Sequence, residues 1–252
     1  MEITDWIVFL TAVVFSSYAQ AVTGFGMGML LMAIIGACHI VSLPVLAAVV
    51  SLVSGINVWF SLRGNLHFVQ KRLLFFLVLG QLPAVGIGVW LSTKLDRDAV
   101  WLLELMLGIF ITISSCAMLL RSKASAAVSG ALPAVGAGFV GGIIGGLFAA
   151  SGPVISLFMY RQPIRMAVIR ATLLSFFAIA ILSRTAIVAH QGGLTSVVWN
   201  MVFVGLPLTL FGAWLGRVGP PPVSEDRLKH LVFVTLFFVG LYIIVTATYF
   251  GN

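Results

Sequence analysis

Long hydrophobic runs occupy most of this chain, and short polar segments separate them. Six of the runs lie at 43–62, 73–93, 99–120, 166–189, 197–216 and 230–250. Each is close to the roughly 20 residues that cross a bilayer core of about 30 Å. Because the runs are continuously apolar and do not alternate between apolar and polar residues, they predict transmembrane helices and not the strands of a barrel.

Two further runs are too long for one crossing and too short for two. Residues 6–37 and 131–160 are 32 and 30 residues long, or about 48 and 45 Å of helix. Each contains a glycine-rich stretch, TGFGMG at 23–28 and GGIIGGLFAASGP at 141–153. Since glycine is costly inside a helix, each run is predicted to break there and to return to the membrane face from which it entered. Non-helical backbone is tolerated at that depth where protein buries it or where it lines a cavity.

The positive charges of the loops favour such hairpins. With two hairpins, one side of the membrane carries ten basic residues and the other carries two. The ten are Arg63, Lys71, Arg72, Arg121, Lys123, Arg161, Arg165, Arg217, Arg227 and Lys229, and the two are Lys94 and Arg97. With two single crossings, the sides would carry five and seven. Cytoplasmic loops are rich in Lys and Arg, so the hairpins are preferred, and both termini are predicted to be non-cytoplasmic.

The chain also repeats itself at an offset of 124 residues. LPAVGIGVWL at 82–91 aligns with LPLTLFGAWL at 206–215, and Gly28 aligns with Gly152. Because each half makes an odd number of passes, the second half enters from the opposite face. The predicted fold is an all-α polytopic membrane protein with two inverted-topology repeats, 1–124 and 125–252. Each repeat has a Gly-broken re-entrant hairpin and three transmembrane helices, a design typical of secondary transporters.

Composition and charge narrow the class further. The chain is 61% hydrophobic and 8% charged, against about 25% charged residues in soluble domains. The net charge of +7 is explained by the basic loops, so nucleic acid is not expected as a partner. The N-terminal MEITDWIVFL lacks the basic start of a signal peptide, and none is predicted. Cys38 and Cys116 are predicted to be small buried residues and not a disulfide or metal pair.

Motifs for catalysis are missing from the sequence. There is no HExxH, no serine elbow, no Walker A loop and no close carboxylate pair on a helix face, and Asp and Glu total 7. We therefore expect no enzyme activity, no metal site and no cofactor.

The two glycine breaks are the predicted binding site. A half-helix that begins inside the membrane exposes unpaired N–H groups and the positive end of its dipole, which attract an anion. Thr23 and Ser151 add hydroxyl donors, and Pro153 suits a first helical turn. The residues that this argument selects are Thr23, Gly24, Gly26, Gly28, Ser151, Gly152 and Pro153. The spacing of Gly138, Gly142 and Gly146 predicts close helix packing instead.

Few ionisable or strongly polar side chains lie within the runs. Arg184 is the best candidate for an anion contact or a gate, with a structural pairing to Glu104 as the alternative. Arg170 either reaches the cytoplasmic surface or contacts the ligand. Asn57 and Gln20 either line a path or bond across helices. Candidates for gating or coupling are Glu104, Arg170, Asn57 and Gln20.

The two glycine-rich breaks, the half-chain duplication and the stretch GGIIGGLFAASGPVISL at 141–157 resemble the TauE/SafE family. These are sulfite and organosulfonate exporters, also called TSUP transporters. The resemblance implies transport of small sulfur-containing or carboxylate anions through the cytoplasmic membrane. It also implies that the site extends from Thr23 to Gly28 and from Ala149 to Pro153, which brings in Phe25 and Ala150.

The expected function is a secondary transporter, acting as an exporter, that alternates access to a midplane anion site. The alternative is an anion channel or uncoupled facilitator of the same architecture. The expected partners are the small anion and the lipid bilayer, and assembly into a homodimer is left open.

Overall fold

The computed structural model describes residues 2–23, 26–62, 64, 66–120, 127–218 and 225–250. The predicted boundary between the repeats, at 124 and 125, lies outside these ranges. Within them the chain forms ten α-helices, a 3-10 turn at Leu66–Phe68 and no β-strand. The helices are α1 (Ile3–Thr23), α2 (Met27–Ala37), α3 (Leu43–Leu62), α4 (Lys71–Asp98), α5 (Val100–Leu119), α6 (Ala131–Phe148), α7 (Gly152–Tyr160), α8 (Met166–His190), α9 (Ser196–Val218) and α10 (Glu225–Phe250). The prediction of an all-α protein is confirmed.

Seven of the described helices are long and apolar enough to cross a membrane, namely α1, α4, α5, α6, α8, α9 and α10. Helix α3 coincides with the predicted run at 43–62. Large apolar side chains such as Phe75, Leu182 and Phe203 remain exposed on the outside of the structure. Lipid accommodates such a surface, whereas soluble monomers rarely expose extensive apolar patches. The chain is therefore a multi-pass membrane protein.

Both long runs are interrupted where the sequence predicts. The first is helical up to Thr23 and again from Met27, and the second is helical up to Phe148 and again from Gly152. Gly26 has a φ of 104°, which glycine adopts at little cost. Helices α2 and α7 have 11 and 9 residues. At 1.5 Å per residue they are about 16 and 14 Å long, roughly half of a bilayer core.

Each short helix packs against the helix that precedes it. A Cβ added at Gly145 of α6 would lie 3.3 Å from the Cβ of Ser151, just before α7. One added at Gly141 would lie 2.6 Å from the Cδ1 of Ile155. Residues successively earlier in α6 therefore meet residues successively later in the chain, so α7 runs back along the end of α6.

The glycines of α6 allow a close approach to α4. A Cβ added at Gly142 would lie 2.7 Å from the carbonyl oxygen of Gln81, and one added at Gly146 would lie 2.5 Å from that of Val85. A Cβ at Gly138 would likewise overlap the backbone of α4. Only a hydrogen fits at these positions, so the prediction that the three glycines serve packing is confirmed.

The remaining contacts join early helices to late ones. Helix α1 packs against α9, α5 against α10, and α3 against both α8 and α9. Helices α3 and α8 are antiparallel, because Ser51 contacts Arg184 while a Cβ at Gly55 would lie 3.2 Å from Ile181. These contacts join the half of the chain that contains the first helix break to the half that contains the second.

Helix α2 lies in the core of the protein. Its sequence MGMLLMAIIGA is apolar on every face, as expected of a helix surrounded by protein. Met27, Leu31 and Ile35 are each 1% exposed or less, and α1, α3, α5 and α10 contact the helix. This packing fixes the position of the first turn of α2.

Both cysteines are free and exposed. The prediction that Cys38 and Cys116 are buried is therefore wrong. Cys116 lies within α5, where an apolar run has outward-facing positions as well as core positions. Cys38 lies in the turn just after α2, so apolar neighbours in the sequence establish burial for neither.

Candidate functional site

A cavity lies between the two helix breaks. It is lined by the first turn of α2, by the segment that joins α6 to α7, and by parts of α1, α3 and α8. Its volume is about 60 Å³. A single water needs roughly 10–15 Å³ by this measure, so the cavity fits a ligand of only a few non-hydrogen atoms.

The two breaks touch at the cavity wall. A Cβ added at Gly28 would lie 2.6 Å from the carbonyl oxygen of Ala149, so the backbones meet where only glycine fits. Ala149 has a φ of 53°, a left-handed conformation that costs a residue with a Cβ about 1–2 kcal/mol. Strain of this kind is concentrated at functional sites.

Helices α2 and α7 both start at the cavity. The N-cap of α2 is Gly26, which has no side chain to cap the helix. The N-cap of α7 is Ser151, whose side chain makes no capping hydrogen bond. The first ladder bonds run from the N–H of Leu30 to Gly26 and from the N–H of Ile155 to Ser151, at 2.9 and 3.2 Å. The N–H groups of a first turn have no partner within their own helix, and the dipole places partial positive charge there.

Arg184 brings a full positive charge to the same cavity. Its side chain belongs to α8 and is 2% exposed. Nε donates a hydrogen bond to the carbonyl oxygen of Gly146 in α6 at 3.2 Å, and Nη1 donates one to Oγ of Ser51 in α3 at 3.1 Å. The guanidinium is thus held by two helices at the cavity wall.

No carboxylate lies within salt-bridge distance of Arg184 among the described residues. Glu104 instead pairs with His39, whose Nδ1 lies 2.9 Å from Oε1 of Glu104. A buried charge without a partner costs several kcal/mol even after the protein relaxes. Among the described residues, therefore, no negative charge compensates the guanidinium of Arg184.

Two further polar side chains of the lining lack hydrogen-bond partners in the described structure. They are Ser54, whose Oγ is buried, and Gln20, whose Oε1 is buried. Ser54 lies three residues after Ser51 on α3, so both hydroxyl groups lie on one side of that helix. Buried polar groups are normally paired, so these two oxygens are available for hydrogen bonds within the cavity.

The rest of the lining is apolar. Val58 of α3 and Phe177, Ala180 and Ile181 of α8 contribute this part of the wall. A low-dielectric wall strengthens the interaction of Arg184 with any charge in the cavity.

The structure brings most of the predicted binding residues together. Those that line the cavity are Gly26, Gly28, Ala150, Ser151, Gly152, Pro153, Arg184 and the gating candidate Gln20. Gly24 and Phe25 lie outside the described residues. Thr23 ends α1, and its side chain also lies outside what the structure describes.

Comparison with known proteins identifies the family of this chain. The family model described as "Sulfite exporter TauE/SafE" matches residues 8–243, which is nearly the whole chain. The chain belongs to the TauE/SafE family.

Two curated relatives of this TauE/SafE protein carry transporter names. It is 33% identical over 224 residues to the "Probable sulfite/organosulfonate exporter TauE" of Cupriavidus necator, covering 89% of this chain and 88% of the relative. It is 29% identical over 182 residues to the "Probable inner membrane transporter protein TsaS" of Comamonas testosteroni, covering 69% of this chain and 74% of the relative. No solved structure matches it significantly.

The other gating candidates lie elsewhere in this TauE/SafE protein. Glu104 pairs with His39 and not with Arg184, so the alternative pairing is not found. Arg170 is exposed in the early part of α8. Asn57 is buried in α3 and its Nδ2 has no partner among the described residues, but it is not part of the described lining.

Sequence reasoning missed the contribution of α3 and the apolar wall. Ser51 and Ser54 sit in an apolar run and are spaced like one side of a helix, which is the only signal that the sequence gives for them. Phe177 and Ile181 have no such signal, because a cavity-lining apolar residue has the same composition as a core one.

Proposed function

We propose that this TauE/SafE family protein is a secondary transporter that exports small sulfur-containing anions, and that the anion binds between the helix breaks beside Arg184. The observation that carries the proposal is the buried guanidinium of Arg184 at the cavity, with no carboxylate partner among the described residues. The printed name of the Cupriavidus necator relative supports sulfite or an organosulfonate as the anion.

Charge balance explains why the ligand is an anion. Two hydrogen bonds, to Gly146 and Ser51, hold Arg184 in place without neutralising it. An anion in the cavity would supply the missing negative charge and accept further N–H bonds from the guanidinium, whose donors match an oxyanion. The starts of α2 and α7 would add N–H donors and the positive ends of two dipoles.

Alternating access requires two repeats of opposite orientation, and the packing supports them. Moved by 124 residues, the starts of α2, α3, α4 and α5 fall within one residue of the starts of α7, α8, α9 and α10. Contacts follow the same rule, because α4 packs against α6 as α9 does against α1, and α8 packs against α4 as α3 does against α9. We therefore assign the repeats to 1–124 and 125–252.

The directions of corresponding helices support the inversion. Helices α3 and α8 correspond to each other and are antiparallel, as the pairs Ser51–Arg184 and Gly55–Ile181 indicate. The return of α7 along α6 supports a re-entrant hairpin in the second repeat. Under this arrangement both termini are non-cytoplasmic, and the repeats rock about the cavity between them.

Export of an anion needs no coupled ion. An anion that leaves a negative cell interior gains about 2.3 kcal/mol per charge for each 100 mV of membrane potential. A channel or uncoupled facilitator of the same architecture would use the same gradient, so kinetics must distinguish the two mechanisms.

Counterflow in proteoliposomes tests the proposal. Vesicles that contain the purified protein and are loaded with sulfite are expected to take up labelled sulfite faster than vesicles without internal sulfite. The reason is that a carrier with sulfite bound on the inside can return its binding site to the outside and exchange that sulfite for labelled sulfite. A channel would show no such stimulation. Absence of saturable sulfite or sulfonate flux above that of protein-free vesicles would contradict the proposal.

Arginine variants test the site itself. Arg184→Gln is expected to weaken sulfite binding about thirtyfold or more, because removing one partner of a buried charge pair costs roughly 2–5 kcal/mol. Arg184→Lys keeps the charge but loses the planar donor fork. Its affinity for sulfite is therefore expected to lie between that of Arg184→Gln and that of the parent protein. The control is Arg170→Gln, at an exposed position of the same helix, with a smaller loss expected. Equal losses at both positions would remove Arg184 from the site.

A further inference from the structure

The cavity contains a single charged side chain among its described lining residues, Arg184. The residues of the first break that the structure does not describe add no charge, because Gly24 and Phe25 are uncharged in the sequence, as is Thr23. One monoanion would therefore match the one full positive charge at the site. A dianion would bring a second full negative charge, which would face only the partial positive charges at the starts of α2 and α7.

The elements packed against α8 have their other charged or titratable side chains away from this lining. On α4 these side chains occupy the first two positions and four of the last five. Helices α3 and α6 carry none in the described ranges. The titratable groups of α8 and of these elements are Arg170, His190, Lys71, Arg72, Lys94, Asp96, Arg97, Asp98, Tyr160 and His67. The part of the chain that the structure describes therefore supplies no second full positive charge at the cavity.

The surroundings of the cavity raise the free energy of any bound charge that is not matched by an opposite charge. Val58, Phe177 and Ile181 supply an apolar wall, and the volume of about 60 Å³ leaves no room for a full hydration shell around a bound oxyanion. The cost of removing an ion from water rises with the square of its charge, so a dianion loses far more hydration than a monoanion does.

The unpaired polar groups distinguish anions further. Oε1 of Gln20 is a buried acceptor without a donor, and Oγ of Ser54 is buried without any partner. Fully ionised sulfite offers acceptors only, but hydrogen sulfite also carries one proton that it can donate. A ligand with that proton can donate it to Oε1 of Gln20, whereas a fully ionised ligand has no proton to donate there.

We infer that the site selects singly charged anions over dianions, and that the form of sulfite that it binds is hydrogen sulfite, with its proton donated to Gln20. The inference rests on the proposed function and specifies the ionic form of its substrate. Since sulfite changes between its two forms near neutral pH, the supply of substrate to this transporter depends on cytoplasmic pH even if no protein group titrates.

The test compares three anions on the purified full-length protein, by isothermal titration at a series of pH values on both sides of neutrality. Methanesulfonate keeps one charge throughout, sulfate keeps two, and sulfite changes from one to two. Above the second ionisation of sulfite, its apparent affinity is expected to fall about tenfold for each pH unit. Methanesulfonate binding should stay constant, and sulfate should bind at least tenfold more weakly than methanesulfonate.

The outcomes separate this inference from the proposed function. Sulfite affinity that does not fall with pH while methanesulfonate affinity stays constant would overturn the inference alone, as would sulfate binding as tight as that of methanesulfonate. Failure of all three anions to bind at any pH would overturn both proposals. A parallel fall for sulfite and methanesulfonate would assign the pH dependence to the protein and would also contradict the inference.

A pair of glutamine variants tests the acceptor. Gln20→Leu is expected to lower the preference for hydrogen sulfite over methanesulfonate about two- to tenfold, the worth of one hydrogen bond. The matched control is Gln81→Leu, because Gln81 also has a buried Oε1 without a partner among the described residues but lies outside the described lining. An unchanged preference in Gln20→Leu, or an equal change in both variants, would contradict the role of Gln20.

Discussion

At the scale of single residues, Gly28 decides whether the two breaks can meet. Its missing side chain leaves room for the carbonyl oxygen of Ala149, to which an added Cβ would be only 2.6 Å away. The corresponding residue of the second repeat, Gly152, has nothing within 4 Å of an added Cβ. Gly28 and Gly152, which align with each other in the sequence, therefore differ in packing: only Gly28 is in close contact with the other break.

We predict that Gly28→Ala lowers the melting temperature of the purified protein by several degrees. Overpacking costs typically 1–3 kcal/mol, which in a chain of this size is about 2–4 °C per kcal/mol. Gly152→Ala should leave the melting temperature nearly unchanged, but its methyl group would weaken sulfite binding because Gly152 lines the cavity. Thermal unfolding and sulfite titration of both variants check this, and equal melting temperatures would contradict it.

At the scale of helices, close packing of α6 against α4 holds the second break in position. Both helices carry small residues at the contact, and the backbone of α4 occupies the space in which side chains of α6 would otherwise lie. Because Arg184 is hydrogen-bonded to Gly146 in this same helix, a shift of α6 would also move the charge at the cavity.

The variant Gly142→Ala is therefore expected to destabilise the protein, since its Cβ would lie 2.7 Å from the carbonyl oxygen of Gln81. The control is Gly136→Ala in the same helix, where an added Cβ has nothing within 4 Å. Alanine is favoured over glycine in a helix by about 0.5–1 kcal/mol, so the control should be neutral or slightly stabilising. Thermal unfolding of the two proteins measures the difference, and a stability loss of the same size in both would rule out close packing as its cause.

At the scale of the whole molecule, the proposed topology places loops on defined sides of the membrane. If the first long run is a hairpin, the start of α1 and the loop after α2 face the same compartment, and α3 carries the chain to the other. Cys38 is naturally present and exposed in that loop, Ile3 is exposed near the N-terminus, and His67 follows α3.

We predict that a membrane-impermeant thiol reagent added to intact cells labels Cys38 in a Cys116→Ser protein. It should also label Ile3→Cys, but not His67→Cys, when each is the sole cysteine of the chain. Permeabilised cells, in which all three should react, provide the control. Labelling of Ile3→Cys and Cys38 from opposite sides would contradict the first hairpin.

Much of the fold could be predicted from the sequence, for one physical reason. Bilayer thickness limits the length of a crossing, so runs of 32 and 30 residues with internal glycines indicated broken helices. The first break includes Gly26, whereas the second falls at 149–151, between the glycines of α6 and Gly152. Family membership was also evident from the sequence. Burial was less predictable, because apolar runs also supply outward-facing positions of a helix, such as Cys116, and the turn at a helix end, such as Cys38.

What the sequence determined by itself was the set of helices and the two breaks, because hydrophobicity and glycine act locally along the chain. What only the tertiary structure decided was which side chains share the cavity. Ser51 meets Arg184, and Glu104 pairs with His39 instead. Those pairings depend on the rotation and depth at which distant helices pack, and such packing is set by contacts between residues more than a hundred positions apart as well as by near neighbours.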